Sequence, residues 1–319
     1  MLTAYRAANG VLERLPEGAS LKQALWIDLY QPEVAESIAV AALGIEVPTL
    51  EDMEEIEVSN RLYRERRAQV MTVVLPGVTG VPVPVSMPVS FVLTPERIVT
   101  VRHHRPRSFE TYPLRADKSG PGCDRPPAIF LGLVEEIVGR LADILENIGR
   151  ELDDVVRGIY RPGPRGATQA TLQAALEGIG RAGDVVGKVR VSLMTLQRAV
   201  LFFSHGLTGE DLAELRPVAD ARERDISALE VHADFLASRV GLASDAAMGM
   251  INLAQNTTMR IVSVLTVLFL PPTLIASMYG MNFAVMPELN QPWGYPLAIG
   301  MMVGSALLTW GLFRWKGWL

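Results

Sequence analysis

With 319 residues, 49% of them hydrophobic, and a mean hydropathy of +0.22, the chain is too apolar for an ordinary soluble protein. The excess is local: residues 1–255 have a soluble composition, and the remainder holds two uncharged runs of bilayer length. Lys and Arg number 30 against 35 Asp and Glu, a net charge of −5 with no basic block, which excludes the usual nucleic-acid partners.

In chain order, the opening MLTAYRAANGVLERLP has no apolar core segment, so no cleaved signal peptide is expected. Short pieces rich in β-branched residues, punctuated by Pro and Gly, predict strands at 24–29 (ALWIDL), 70–75 (VMTVVL), 85–93 (VSMPVSFVL) and 97–102 (RIVTVR). Residues 32–43 and 49–57 read as helices, the second opening on a Thr49–Asp52 capping box. The stretch 116–127, with Gly120, Pro121, Gly122, Pro126 and Pro127, reads as a linker between sheet and helices. Cys123 within it is the one cysteine, which excludes an internal disulfide framework and suits a reducing compartment. Helical spacing runs over 128–160, Arg161-Pro162-Gly163-Pro164 breaks it, and a second helix follows over 168–204. His103-His104, His205 and His232 lack partners at zinc-ligand spacing and are expected to serve packing or surface roles.

A third helix is predicted from near Pro217, a suitable first-turn residue, onward to Tyr279, roughly 90 Å at 1.5 Å per residue. Ile226, Leu229, Ala233, Leu236, Val240, Ala243, Ala247, Met250 and Ala254 recur in steps of three and four, the pattern of a helix packed along its length. A second stripe on another face carries Asp245, Gly249, Asn252, Asn256, Met259, Ser263, Thr266, Leu270, Thr273 and Ser277. Singly, such Ser and Thr residues bond their own backbone or pack helices closely. As a set, bounded by amides at Asn256 and Asn282, they suggest a path for something polar. Pro271-Pro272 frees carbonyls near Val267 and Leu268, groups tolerated in a membrane when buried by neighbours or lining water.

The first apolar run starts after Arg260, and the second, from about residue 289 to 313, ends before Arg314 and Lys316. Positive flanks stay in the cytoplasm, which predicts both termini inside and the Gly280-Met281-Asn282 turn outside. Trp293, Tyr295, Trp315 and Trp318 fall near the span ends, where amphipathic rings favour the interface. Two helices cannot enclose a water path alone. A pore therefore requires several copies, with the first helix inside and the second facing lipid.

The run 256–282, ending FLPPTLIASMYGMN, followed by Met286-Pro287-Glu288-Leu289, Trp293-Gly294-Tyr295-Pro296 and Trp318-Leu319, resembles the CorA family of divalent-cation transporters. The likeness extends through Ala246-Ala247-Met248-Gly249 and more loosely to Trp26-Ile27-Asp28-Leu29 and Glu54-Glu55-Ile56-Glu57. It implies a funnel-shaped homopentamer with an α+β cytoplasmic domain, a long stalk helix that becomes the pore, and two C-terminal transmembrane helices. On that reading residues 1–127 form the cytoplasmic α/β portion, 128–255 the long cytoplasmic helices and 256–319 the transmembrane domain. The spans fall at about 257–280 and 292–313, separated by an outer loop at 281–291 and followed by a tail at 314–319. The implied location is the inner membrane, and the implied cargo is Mg2+, with Co2+ and Ni2+ as alternatives.

Mg2+ holds oxygen at about 2.0–2.1 Å and sheds water reluctantly, so a rapid path keeps the water shell. Gly280, Met281 and Asn282 are assigned as the outer selectivity element, the Asn282 carboxamides of several copies facing those waters. Asn256, Ser263, Thr266, Thr273, Ser277 and Tyr279 are assigned to the pore lining, with Met259 and Leu270 as apolar constrictions that gate by dewetting. Whether Val262 or Ser263 faces the axis stays open, because helical and heptad periods drift apart. Glu288 either concentrates cations at the outer mouth or is a solvated loop carboxylate. The resemblance further implies closure by cytoplasmic Mg2+ bound between subunits. Asp220, Asp225, Asp234 and Asp245, together with the acidic segment 51–57, are the candidates, each of which also reads as a solvated face.

No Gly-rich nucleotide loop is evident, so the membrane potential is the expected drive, about 4.6 kcal/mol per 100 mV for two charges. Neither an enzymatic role nor an organic cofactor is expected; the partners are divalent cations, membrane lipids and further copies of the chain. Two rival readings stand beside this one: a Zn2+ transporter of the same superfamily, and a non-transporting receptor signalling through a helical hairpin.

Overall fold

The computed structural model describes residues 1–55, 57–79, 84–118, 120–160, 169–281, 287 and 291–317. Asn282 and Glu288 lie outside the described residues. The chain divides into two units, residues 1–161 with 175–244, and residues 162–174 with 245–319.

The first unit is built on a seven-stranded sheet: β1 (Leu2–Ala8), β2 (Val11–Arg14), β3 (Trp26–Tyr30), β4 (Leu62–Glu65), β5 (Ala68–Val78), β6 (Pro84–Leu93) and β7 (Ile98–Arg102). The order is β2-β1-β3-β7-β6-β5-β4, with β3 and β7 parallel and every other pair antiparallel. The four strands expected from sequence are present. Three more were not expected: β1, β2 and β4.

Alternation sorts the strands into two faces. On one, Ala4, Ile27, Leu29, Val70, Val92, Val99 and Val101 meet Val40 of helix α1 (Val34–Ala41) and Met53 of α2 (Leu50–Glu54). The expected capping box closes α2: Thr49 Oγ1 accepts from the Asp52 amide at 3.3 Å, and the Thr49 amide donates to Asp52 Oδ2 at 2.9 Å. A one-turn helix α3 (Val58–Arg61) leads into β4. On the other face, Trp26, Met71, Val73, Leu75, Val89, Phe91 and Ile98 pack under α4 (Ser108–Thr111), α5 (Pro126–Tyr160) and α6 (Gln169–Ser204), and under the start of α7 (Gly209–Tyr279). Helices cover both faces of the sheet centre, so β7 is buried at every position, its polar Thr100 and Arg102 included.

A linked set of polar groups in this core is paired, while the buried Tyr112 hydroxyl and His104 Nδ1 have no partner among the described residues. Trp26 Nε1 donates to Thr100 Oγ1 at 3.0 Å, and Thr100 Oγ1 donates to Asp28 Oδ1 at 2.8 Å. Arg102 reaches Asp28 through Nε and Nη2, the latter at 2.8 Å, and through Nη1 donates to the His104 carbonyl at 3.0 Å. Its guanidinium lies 4.9 Å from the Tyr30 ring centre and 5.4 Å from that of Phe109. His104 is fully buried with Nε2 2.8 Å from the Leu75 carbonyl, and burial pushes its pKa down to about 4. Of the packing or surface roles expected for the histidines, His104 has a packing one.

The long helices match expectation at 128–160 and 168–204, with α5 starting two residues earlier at Pro126. α7 departs from it. The helix begins at Gly209 and runs through Pro217 rather than starting there. Its first turn carries Glu210 and Asp211, charges that suit a helix N-terminus, and Arg125 at the head of α5 binds Asp211 at 2.8 Å and also pairs with Glu214. Those contacts fix a start that the proline signal displaced. Along α7, Ile226, Ala233, Leu236, Ala243 and Ala247 are buried, as their spacing predicts.

Candidate functional site

The second unit contains the C-terminal part of α7 and α8 (Gly294–Trp315), two helices long and apolar enough to cross a membrane. Within α7 the half-buried positions beyond Arg260 are Val264, Leu268, Pro271, Pro272, Ile275 and Tyr279. They recur in steps of three and four and define one face. Val264 and Leu268 share a cavity with Trp310 and Phe313 of α8, so this is the face α8 lies against.

Asn256, Met259, Ser263, Thr266, Leu270, Thr273 and Ser277 are all exposed. At 3.6 residues per turn they lie on the side of α7 roughly opposite that face. The polar stripe is therefore free of contact with α8. Tyr279 is placed differently, among the half-buried positions rather than on the stripe.

The two threonine hydroxyls of the stripe are oriented by the helix itself. Thr266 Oγ1 donates to the Val262 carbonyl at 2.9 Å, and Thr273 Oγ1 donates to the Phe269 carbonyl at 2.7 Å. Thr257 and Thr258 donate in the same way to Leu253 and Ala254. Each hydroxyl proton is spent on the carbonyl four residues back, so each oxygen turns only lone pairs outward. Such a surface accepts hydrogen bonds, and the waters around a divalent cation are donors.

The Gly280 amide donates to the Ala276 carbonyl at 2.9 Å and the Met281 amide to the Met278 carbonyl at 3.3 Å, so the helical turn persists to the edge of the tripeptide. A Cβ at Gly280 would stand 3.2 Å from the Ala276 oxygen, tighter than ordinary contact. Glycine at this position spares that carbonyl.

The four aspartates assigned to regulation do not form a metal site within one chain. From Asp220 to Asp245 the helix rises about 37 Å at 1.5 Å per residue, far beyond the reach of one ion. Three have arginine partners: Asp220 with Arg216 at 2.9 Å, Asp225 with Arg222 at 2.9 Å and Asp234 with Arg190 at 2.8 Å. Asp245 is exposed and makes no ion pair among the described residues. No group of three or more His, Cys, Asp or Glu positioned for a metal occurs among the described residues.

Contacts between the helices of the first unit were not legible in the sequence. Arg239 of α7 pairs with Asp153 of α5, whose carboxyl is held below its ordinary pKa chiefly by that hydrogen bond. Arg222 binds Glu135 of α5 at 3.1 Å. The partners stand more than eighty positions apart, beyond any local pattern.

Comparison with known proteins fits this geometry. The family described as CorA-like Mg2+ transporter protein matches residues 22–314. The magnesium transport protein CorA of Haemophilus influenzae is 33% identical over 323 residues, covering all of both chains. The complete structure of the CorA magnesium transporter from Methanocaldococcus jannaschii superposes with a TM-score of 0.77 at 19% identity, over 100% of this chain and 99% of that one. The ZntB cytoplasmic domain from Vibrio parahaemolyticus shares the fold less closely, with a TM-score of 0.58 at 11% identity over 78% of this chain and 97% of that one. With a full-length relative at this identity and a family match from the sheet to the second apolar helix, the chain belongs to the CorA-like Mg2+ transporter family.

Proposed function

We propose that this chain carries Mg2+ across the inner membrane, with Co2+ and Ni2+ as alternative cargo, down the membrane potential and along the polar face of α7. The observation that carries the reading is that face: exposed amide, hydroxyl and thioether groups through an apolar helix, on the side away from α8. Several copies arranged as a homopentamer would turn these faces inward and enclose a path. Residues 256–319 are the transmembrane domain on this reading. Residues 1–127 and 128–255 lie in the cytoplasm together with both termini.

The Thr266 and Thr273 oxygens, as acceptors, meet the donor waters of a hydrated ion. Gly280, Met281 and Asn282 form the outer filter, with Glu288 beside its mouth. Met259 and Leu270, both large and exposed, are the apolar constrictions. Regulation by cytoplasmic Mg2+ is proposed at Asp245, because among the described residues it alone of the four aspartates has no arginine partner, and its exposure leaves it open to a carboxylate of a neighbouring copy.

Uptake into liposomes loaded with a Mg2+-sensitive dye tests the reading. Asn282→Ala with assembly intact is expected to lose flux or ion discrimination, and unchanged flux and selectivity would overturn the filter assignment. Zn2+ uptake in place of Mg2+ would support the zinc reading, and uptake of neither ion would support the receptor reading.

A further inference from the structure

The cavity between α7 and α8 has an unusual composition for its place. It measures about 240 Å³ and is walled by Ile261, Val264, Leu265 and Leu268 of α7 with Trp310 and Phe313 of α8, and Arg260 stands at its rim. Arg314 lies over the ring of Trp310, a wall residue of the cavity, at 5.5 Å, which sets a second guanidinium against that wall. Lys316 follows two residues on.

Among the described residues these three cations have no ion-pair partner. Residues 246–281 and 291–317 contain no Asp or Glu. An apolar slot lined by one guanidinium, with a second on the ring of its wall residue Trp310, matches a molecule with a hydrocarbon chain and an anionic head. A phosphate diester on acyl chains has that form, and basic pockets between membrane helices bind such heads. The cavity also lies on the side of α7 away from the polar stripe, so its occupant would not block the proposed path.

We propose that this cavity is a binding site for one anionic glycerophospholipid per chain, an acyl chain lying against Val264, Leu265 and Trp310 and the phosphate between Arg260 and Arg314. The inference rests on the reading that α7 and α8 cross a membrane, and it is independent of which ion is carried.

The full-length protein, purified in detergent, is titrated with phosphatidylglycerol and with phosphatidylcholine of the same acyl chains, and bound lipid is counted by native mass spectrometry. Phosphatidylglycerol is expected to be retained over phosphatidylcholine, with about a five-fold loss of that preference for each of Arg260→Gln and Arg314→Gln. Leu265→Trp fills the slot without altering charge and is expected to reduce retention of both lipids. Equal retention of the two lipids, an unaltered preference in both arginine variants, or retention unaffected by Leu265→Trp would overturn the proposal. So would displacement of the lipid by millimolar inorganic phosphate, or a photo-crosslinker in place of Leu265 that captures a second copy of the chain instead of lipid. Mg2+ uptake reads the transport proposal separately: loss of lipid preference in the arginine variants with uptake intact supports the lipid site, and equal retention of the two lipids by the parent chain with uptake intact counts against the lipid site alone.

Discussion

Thr273→Val removes one oxygen from the polar face and little else. The side chain is exposed and its proton already serves the Phe269 carbonyl at 2.7 Å, a back-bond that contributes little to helix stability. The fold is therefore expected to tolerate the change. What disappears is an outward acceptor, worth about 0.5–1.5 kcal/mol toward a donor such as a cation's water. In a ring of copies the loss repeats. If an ion's water shell meets two of these oxygens as it passes, the barrier rises by about 1–3 kcal/mol, a slowing of roughly 5- to 150-fold. Dye-reported Mg2+ uptake in liposomes, at matched protein and oligomer content, measures it. Thr273→Ser keeps the oxygen and is expected to stay near the parent rate. A valine variant with full flux would refute the acceptor argument. Equal impairment by serine and valine would show that the methyl group, not the oxygen, matters at this position.

Other consequences concern the sheet core. Arg102→Met leaves the Asp28 carboxylate buried without its cation and is expected to cost about 3–5 kcal/mol of stability, whereas the double change Arg102→Met with Asp28→Leu should cost much less; equal losses in thermal unfolding would contradict this. His104 is held neutral with a pKa of about 4, so between that value and about 6.5 the unfolded chain binds more protons than the folded one. Stability should fall on acidification across this window, by about 3 kcal/mol at most, and the slope should flatten in His104→Gln. Gly77→Ala would bring a Cβ within 2.5 Å of His104 Cδ2 and 2.9 Å of the Arg105 backbone, and is expected to lower the unfolding midpoint by about 1–3 kcal/mol equivalent.

How much of this was legible depended on whether the signal was local. The four central strands were found because β-branched runs between Pro and Gly need no knowledge of their neighbours. β1 and β2 were missed although their turn was written plainly: Asn9-Gly10, with φ of 53° and 78°, is the dipeptide that a tight hairpin turn demands. The β4–β5 turn offered no such mark, since Arg66 takes the left-handed conformation, φ 53°, where Asn or Gly would have announced it. Likewise Pro217 reads locally as a helix start, and only the distant Arg125 with Asp211 and Glu214 shows why the helix begins earlier. The polar stripe was legible because a helix repeats every few residues. Tyr279 is half-buried, on the face that carries Val264 and Leu268, and one residue at the end of a stripe has no following repeat to fix its face.

Pro271 and Pro272 show how the same logic divides α7 into two working faces. Each proline removes an amide donor and frees the carbonyl four residues back, at Val267 and Leu268. From sequence, those oxygens had two uses: lining water or being buried by a neighbour. The helix continues through both prolines without a break, and both are half-buried, on the face that carries Val264, Leu268 and Ile275. A carbonyl points along the helix toward the residue four positions on, so the freed oxygens sit beneath the prolines, on α8's side. They are not part of the polar stripe. On the proposed path the acceptors that meet a passing ion are then the side-chain oxygens of Asn256, Ser263, Thr266, Thr273 and Ser277, groups that are neutral and weakly held. Backbone carbonyls would bring stronger, fixed dipoles to the same path. For an ion that gives up water reluctantly, the weaker lining favours passage with the shell intact.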